Sequence, residues 1–356
     1  ITPILSRYNQ IDDIIDKREY QKAKQDLQNL NTSIKSAKET TDRHIHADSK
    51  NKIATLEKQR IERLNEVTEL IKKESIPETI PSEPNLSVDY DNLADKEPIG
   101  GGGNADLTKA TLATPSGDVT LAIKQPRMAG TLHTDAMERI LDEAETWDKL
   151  DDHEHIVGVV DYDSTPVPWI AMEYMDAGHL GDSGGELGTL QALWTSITVT
   201  KGVRHAHRRG VAHLDLKPEN VLFRSVEDGW DVPKVADWGL SKHLLDRPKS
   251  VEGLSPQYAA PEQFDEDFGS PDDITDIYQL GTVFYELFTG RPPFDEKPAK
   301  TMNKVLDEKP TAPSEIADVP DKLDEILLTA LAKEKDDRYD NIVLLRDELQ
   351  ELFDNR

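Results

Sequence analysis

A chain of 356 residues with 36% hydrophobic content is long enough for two or three domains and can fill a sizeable core. Its formal charge of −27 argues against nucleic acid or anionic lipid as the main partner, because long-range repulsion slows every such encounter. The absence of cysteine excludes disulfides, thiolate nucleophiles and Cys-ligated zinc, and suits a reducing, cytoplasmic setting.

No run approaches the roughly eighteen apolar residues of a membrane span, and the N-terminus lacks a basic-then-apolar signal pattern. Because the sequence begins at Ile1 and not at a methionine, it is expected to be a fragment. Residues 1–74 are polar, nearly free of Gly and Pro, and apolar at helical intervals. Ile53, Leu56, Leu64, Val67 and Ile71 line one stripe. The pattern predicts an α-helical hairpin of coiled-coil type that turns near His44 and His46, two histidines read as solvated loop rather than metal ligands. Such a hairpin reads first as a packed pair or spacer; its functional alternative is a helical partner or self-association through residues 1–74. Three prolines among polar residues in "ESIPETIPSEPN" then predict a semi-rigid linker over residues 75–87.

From residue 88 onward short strand-like runs come first ("DVTLAIKQP", "PWIAMEYM"), and long helical patterns dominate after about Leu190. That order predicts an α+β domain over residues 88–356, with a small sheet-rich lobe, a larger helical lobe and a cleft between them.

"IGGGGNADL", Ile99 to Leu107, places consecutive glycines after a strand, where backbone N–H groups approach phosphate oxygens without a Cβ in the way. Alone, the cluster reads more readily as a plain turn, and Ala105 stands where a third spaced glycine is usual. Lys124 ends the strand-like "LAIK", where an inward charge needs a partner. In the helix "DAMERILDEAETWDKL" Glu143 aligns with Ile140 and Trp147 and can face the sheet, with Glu145 as the fallback. "HLDLKPENVL" sets Asp215 five positions before Asn220 with Lys217 between them. The chemistry of phosphoryl transfer asks for these types: a carboxylate for the hydroxyl proton, an ammonium for phosphate charge and an amide oxygen for a divalent cation. "KVADWGLS" adds Asp237 before Gly239, a hard oxygen ligand suited to magnesium, and "PQYAAPEQF" adds Ala260, Pro261 and Glu262.

Glycine loop, strand lysine, helix glutamate, catalytic loop, metal-binding Asp and A-P-E occur in order, and residues from about Tyr90 to Phe353 resemble a eukaryotic-type Ser/Thr protein kinase domain of the prokaryotic kind. The resemblance implies a bilobal kinase fold, with N-lobe 88–172 and C-lobe 173–356. It implies transfer of the γ-phosphoryl group of ATP to protein Ser/Thr hydroxyls, the chain itself among the candidate substrates, with Mg²⁺ as the metal and Mn²⁺ as a substitute. Catalysis falls to Asp215, Lys217, Lys124 and Glu143, and the metal to Asn220 and Asp237. Nucleotide contacts fall to Ile99, Gly100, Gly101, Gly102, Gly103, Leu107, Ala122 and Lys124, to the gatekeeper Met172, and to the backbones of Glu173 and Met175. Ser255 matches the hydroxyl position that touches the catalytic Asp and Lys, Asp276 the buried brace of the catalytic loop, and Arg338 the structural partner of Glu262.

Three positions depart from the family pattern: Trp238 for the Phe of D-F-G, Ala105 in the glycine loop, and Leu214 for the arginine that receives an activation-loop phosphate. Loss of that arginine leaves the reacting groups intact, so activity is expected not to depend on loop phosphorylation, although Ser241, Ser250 and Ser255 remain acceptors. The alternative is a pseudokinase scaffold that recruits a partner through the hairpin; retention of Lys124, Glu143, Asp215, Asn220 and Asp237 weighs against it. "HEH", His153 to His155, reads as solvated loop, and "RHAHRRG", Arg204 to Gly210, as cations at a helix C-terminus.

Overall fold

The computed structural model describes residues 4, 7, 8, 10, 11, 14, 20–43, 47–102, 105–127, 134–150, 153–227, 229–238 and 255–355. His44, His46, Gly103, Gly239, Ser241 and Ser250 lie outside the described residues. The chain divides into two compact units, Ile1–Thr79 with Val226–Trp230 and Ile80–Ser225 with Asp231–Arg356.

In the first unit α1 (Tyr20–Arg43) and α2 (Ala47–Glu74) pack together. Ala23, Leu27, Leu30 and Ile34 recur at three- and four-residue intervals, so they share one face, and they bury against Ile53, Leu56 and Val67. Ile4 and Ile11 close the cluster, with Leu64 at its margin. A Lys38–Glu57 ion pair of 2.9 Å ties the two helices at the surface.

The second unit begins with an antiparallel sheet in the order β1-β2-β3-β5-β4, formed by β1 (Leu93–Gly102), β2 (Ala105–Thr114), β3 (Gly117–Pro126), β4 (Val159–Asp163) and β5 (Trp169–Glu173). Period-two alternation sorts β3. Leu121 and Ile123 enter a small outer core with Ala110, Leu112, Trp169 and Ala171, whereas Ala122 joins the main core, opposite Met172. Lys124 shares the face of Ala122. Helix α3 (Thr134–Asp148) packs on that face through Ile140, Ala144 and Trp147. Residues 81–88 follow the sheet edge in extended form, with Val88 N–H donating to Asp161 Oδ2 at 2.7 Å.

Helices build the rest of the unit: α4 (Thr189–His207), the single turn α5 (Pro261–Phe264), α6 (Asp273–Thr289), α7 (Pro298–Asp307), α8 (Asp321–Ala330) and α9 (Ile342–Asp354). Asp272 caps α6 by accepting from Ile274 N–H, and Gly290 ends it at φ 77°. Helix α4 is buried almost all round. A Cβ at Gly202 would meet the His155 carbonyl at 2.5 Å, so only glycine allows that approach. A two-stranded ladder of β6 (Val221–Arg224) and β7 (Val232–Val235) carries the functional loops on the rim of this lobe. No helix among the described residues is long and apolar enough to cross a membrane.

Candidate active site

Lys124 is where the two lobes meet chemically. Its Nζ lies 2.6 Å from Glu143 Oε1 on α3 and 2.8 Å from Asp237 Oδ1, just beyond β7. Burial would lower the pKa of this ammonium, but the Asp237 and Glu143 carboxylates outweigh it and hold the group above its ordinary range. Burial lifts the Glu143 carboxyl to about 7 against the pull of Lys124, whereas Lys124 overrides burial at Asp237 and carries it down to about 2. Lys124 thus favours the ionised form of Asp237, the form that binds a cation. Glu145, the fallback, is exposed.

The loop from His213 to Asn220 is built from the inside. Asp276 on α6, fully buried, accepts from His213 N–H (2.8 Å) and Leu214 N–H (2.7 Å), the brace expected from the sequence. Asp215 is buried, its Oδ2 2.7 Å from Lys217 Nζ. Burial raises its pKa and Lys217 opposes the rise, which suits a proton acceptor better than an unperturbed carboxylate would. Asn220 Nδ2 donates to Asp215 O at 2.8 Å, which leaves the Asn220 Oδ1 as the atom available to a cation. Ala236 N–H donates to Asn220 O, and His213 Nε2 meets Ala236 O at 2.9 Å, so the residue before Asp237 is tied to the loop that ends at Asn220. Trp238 is buried with its ring 4.6 Å from that of His213, filling the place expected of a phenylalanine. Leu214 and Asp237 adopt left-handed backbone, φ 62° and 65°, a strain of about 1–3 kcal/mol each that gathers at sites.

Most of the residues expected from the sequence to contact a nucleotide lie on the sheet. Gly100, Gly101 and Gly102 pair with Leu107, Asp106 and Ala105, and Ile99 sits in the bulge that precedes them. A Cβ at Gly101 would come within 3.0 Å of the Ala105 carbonyl, so the strands close tightly because of that glycine. Leu107 is opposite Lys124, and Ala122 is opposite Met172. Beyond β5, the Met175 N–H and C=O make no hydrogen bond among the described residues, whereas Glu173 N–H is taken by Gly158 O. The donor set for a metal, one carboxylate and one amide oxygen, fits a hard octahedral cation that takes its remaining ligands from phosphate and water. Among the described residues no cluster of three or more His, Cys, Asp or Glu competes for it.

Two expectations change. His155 is not solvated: it is buried, with Nδ1 3.2 Å from Pro233 O, because its backbone bonds to Val235 and α4 passes over it. Burial drives its pKa down to about 3 and that of its neighbour His153 to about 4, so both are neutral scaffold at physiological pH. The Ser255 hydroxyl makes no hydrogen bond to Asp215 or Lys217; these two are bonded to each other. Arg338 does meet Glu262, as expected, with two contacts of 2.8 Å.

One ion pair went unread in the sequence. Lys234 on β7, fully buried, places Nζ 2.7 Å from Glu173 Oε1 and 2.9 Å from Pro81 O, and Glu173 Oε1 also accepts from Gly158 N–H. The signal was a lysine inside the apolar run "VPKVA", the same anomaly that singled out Lys124.

Residues 93–349 match the family described as the protein kinase domain. A probable serine/threonine-protein kinase of Corynebacterium efficiens is 33% identical over 277 residues, which cover 72% of this chain and 40% of that protein. The serine/threonine-protein kinase Pkn1 of Myxococcus xanthus is 33% identical over 243 residues, 65% of this chain and 34% of that protein. A probable serine/threonine-protein kinase PknB of Corynebacterium glutamicum is 33% identical over 261 residues, 68% of this chain and 39% of that protein. The chain therefore spans about two fifths or less of the length of these relatives.

Proposed function

The chain belongs to the protein kinase domain family, and on that premise we propose that it transfers the γ-phosphoryl group of ATP to serine and threonine hydroxyls of protein substrates, itself among them. The observation that carries this reading is Lys124 held between Glu143 and Asp237 while Asp215 stands braced beside Lys217. In the proposed step the substrate hydroxyl oxygen bonds to the γ-phosphorus as the bond to the ADP oxygen breaks, and Asp215 takes the hydroxyl proton. Lys217 neutralises charge on the transferring group, and Lys124, oriented by Glu143, does the same on the remaining phosphates. Mg²⁺, or Mn²⁺ in its place, would be held by Asp237 and Asn220 and would supply charge neutralisation at the phosphates. The names of the relatives favour serine and threonine over tyrosine.

Phosphate on the activation loop is not needed in this reading, since Leu214 is a buried apolar side chain with nothing to offer it. Among the described residues of 1–74, Leu27, Leu30, Ile34, Ile53, Leu56 and Val67 bury one another, which favours a spacer over a surface that waits for a second helix. Incubation of the purified chain with γ-labelled ATP, Mg²⁺ and a mixed protein acceptor is expected to label serine and threonine, and chelation of the metal to abolish it. A chain that binds nucleotide yet labels nothing would overturn the assignment.

The Lys234–Glu173 pair yields a second expectation. Lys234→Met strands a buried carboxylate beside the adenine-facing backbone, and the KM for ATP should rise about five- to tenfold with kcat nearly unchanged. Glu173→Gln added to Lys234→Met should recover most of that loss, as steady-state kinetics at varied ATP will show.

A further inference from the structure

Leu214, buried beside Asp215, holds left-handed backbone at φ 62°, and its carbonyl is the focus of a closed ring of amides. Gln279 Nε2 on α6 donates to Leu214 O at 3.0 Å and to Gln263 Oε1 at 3.0 Å. Gln263 Nε2 on α5 donates to the same Leu214 O at 2.9 Å. Two backbone donors join the ring from outside: Leu216 N–H donates to Gln279 Oε1, and Ala260 N–H to Gln263 Oε1, both at 2.9 Å. Those two backbone donors fix both amide orientations, since an N–H meets oxygen and not another NH₂. Gln279 is buried, so each of its bonds is made away from water, where a missing partner is costly.

The ring joins two pieces of chain that phosphoryl transfer needs in register. Leu214 and Leu216 flank Asp215, and Ala260 ends the segment that begins at Ser255. We infer that Gln263 and Gln279 are positioning residues that lock the backbone on both sides of Asp215 to the substrate-side segment ending at Ala260. This clamp is neutral and holds Leu214 by its carbonyl, independent of the side chain at that position. The inference rests on the kinase reading above and deepens it: the active register is written into α5 and α6 and needs no added charge. It also explains how an apolar residue at 214 keeps φ at 62°, with Asp276 on its N–H and two amides on its C=O.

The test uses the full chain with Gln263→Met, Gln279→Met and both together, each checked for its melting temperature. Each single variant should lower kcat about 10- to 30-fold with the KM for ATP within about twofold. The double variant should be little worse than either single one, because one broken link opens the ring. Backbone amide exchange supplies a readout that simple loss of packing would not move. Gln263→Met should speed exchange at Leu216, whose own partner is Gln279. Unchanged kcat in both folded single variants would overturn the inference, as would additive losses with each exchange change confined to the replaced residue's own partner. If Gln279→Met fails to fold, the half-buried Gln263 variant decides alone. A parent chain without phosphotransfer would sink the proposed activity, and the exchange data would still judge the clamp.

Discussion

Asp215→Asn is expected to lower kcat by about 10²–10⁴-fold, the range a positioned general base contributes, while the KM for ATP stays within about twofold. The substitution keeps the shape of the side chain and leaves an oxygen for Lys217 Nζ, now 2.7 Å from Oδ2. The loop itself is held by Asp276 and the two glutamines through backbone groups of neighbouring residues, so its position does not depend on the Asp215 charge. What is lost is the ability to take the hydroxyl proton. Burial raises the Asp215 pKa, which makes the carboxylate a better proton acceptor than an exposed one. Steady-state rates with a serine acceptor, beside melting curves of both proteins, check this. A folded Asn variant within about threefold of the parent would assign the proton to another group.

The proposed catalytic set could be named from sequence because phosphoryl transfer asks for definite residue types at short-range spacing. Asp215, Lys217 and Asn220 lie on one loop, and Lys124 and Glu143 are revealed by the faces on which a strand and a helix place them. Periodicity states which face a side chain occupies, yet it says nothing of the distant group that will satisfy it. Lys234 shows the limit: its partners Glu173 and Pro81 are far off in sequence and meet it only when β5, β7 and the extended segment 81–88 come together. Gln279 was silent for the same reason, a polar side chain in "ITDIYQLGTVFY" whose three-way bonding exists only after α5 and α6 enclose Leu214. The H-x-H spacing at His153 and His155 misled in the opposite sense, since short polar stretches are mostly solvated. Here the backbone of His155 is bonded to Val235 under α4. Local chemistry marks the reacting groups, and tertiary bonds decide how they are held.

The Glu262–Arg338 pair tests that division, because its loss is expected to cost stability before it costs chemistry. Both side chains are fully excluded from solvent and meet through two parallel contacts of 2.8 Å. Thr275 Oγ1 donates to Glu262 Oε1 at 2.7 Å, and Arg338 also donates to Ala332 O and Lys333 O, so few lone pairs or N–H groups of the pair go unused. The guanidinium sits 5.0 Å from the Tyr278 ring centroid, which adds a cation–π contact. Removing one partner leaves the other charge buried and uncompensated, at a cost of about 3–5 kcal/mol. In a domain of this size that lowers the melting temperature by roughly 5–10 °C for Glu262→Gln and for Arg338→Met. The double variant Glu262→Met with Arg338→Met removes both charges, and partial recovery relative to the single variants is expected from the desolvation each ion no longer bears. Urea midpoints with unchanged slopes provide the measurement. If the double variant is as unstable as the sum of the two single ones, the pair acts through packing and its backbone bonds, and charge pairing is not what anchors the A-P-E segment. If recovery is seen and kcat well below the melting temperature stays near that of the parent, the anchor is scaffold, whereas a kcat that falls in step would extend the positioning network from Gln263 to its near neighbour Glu262.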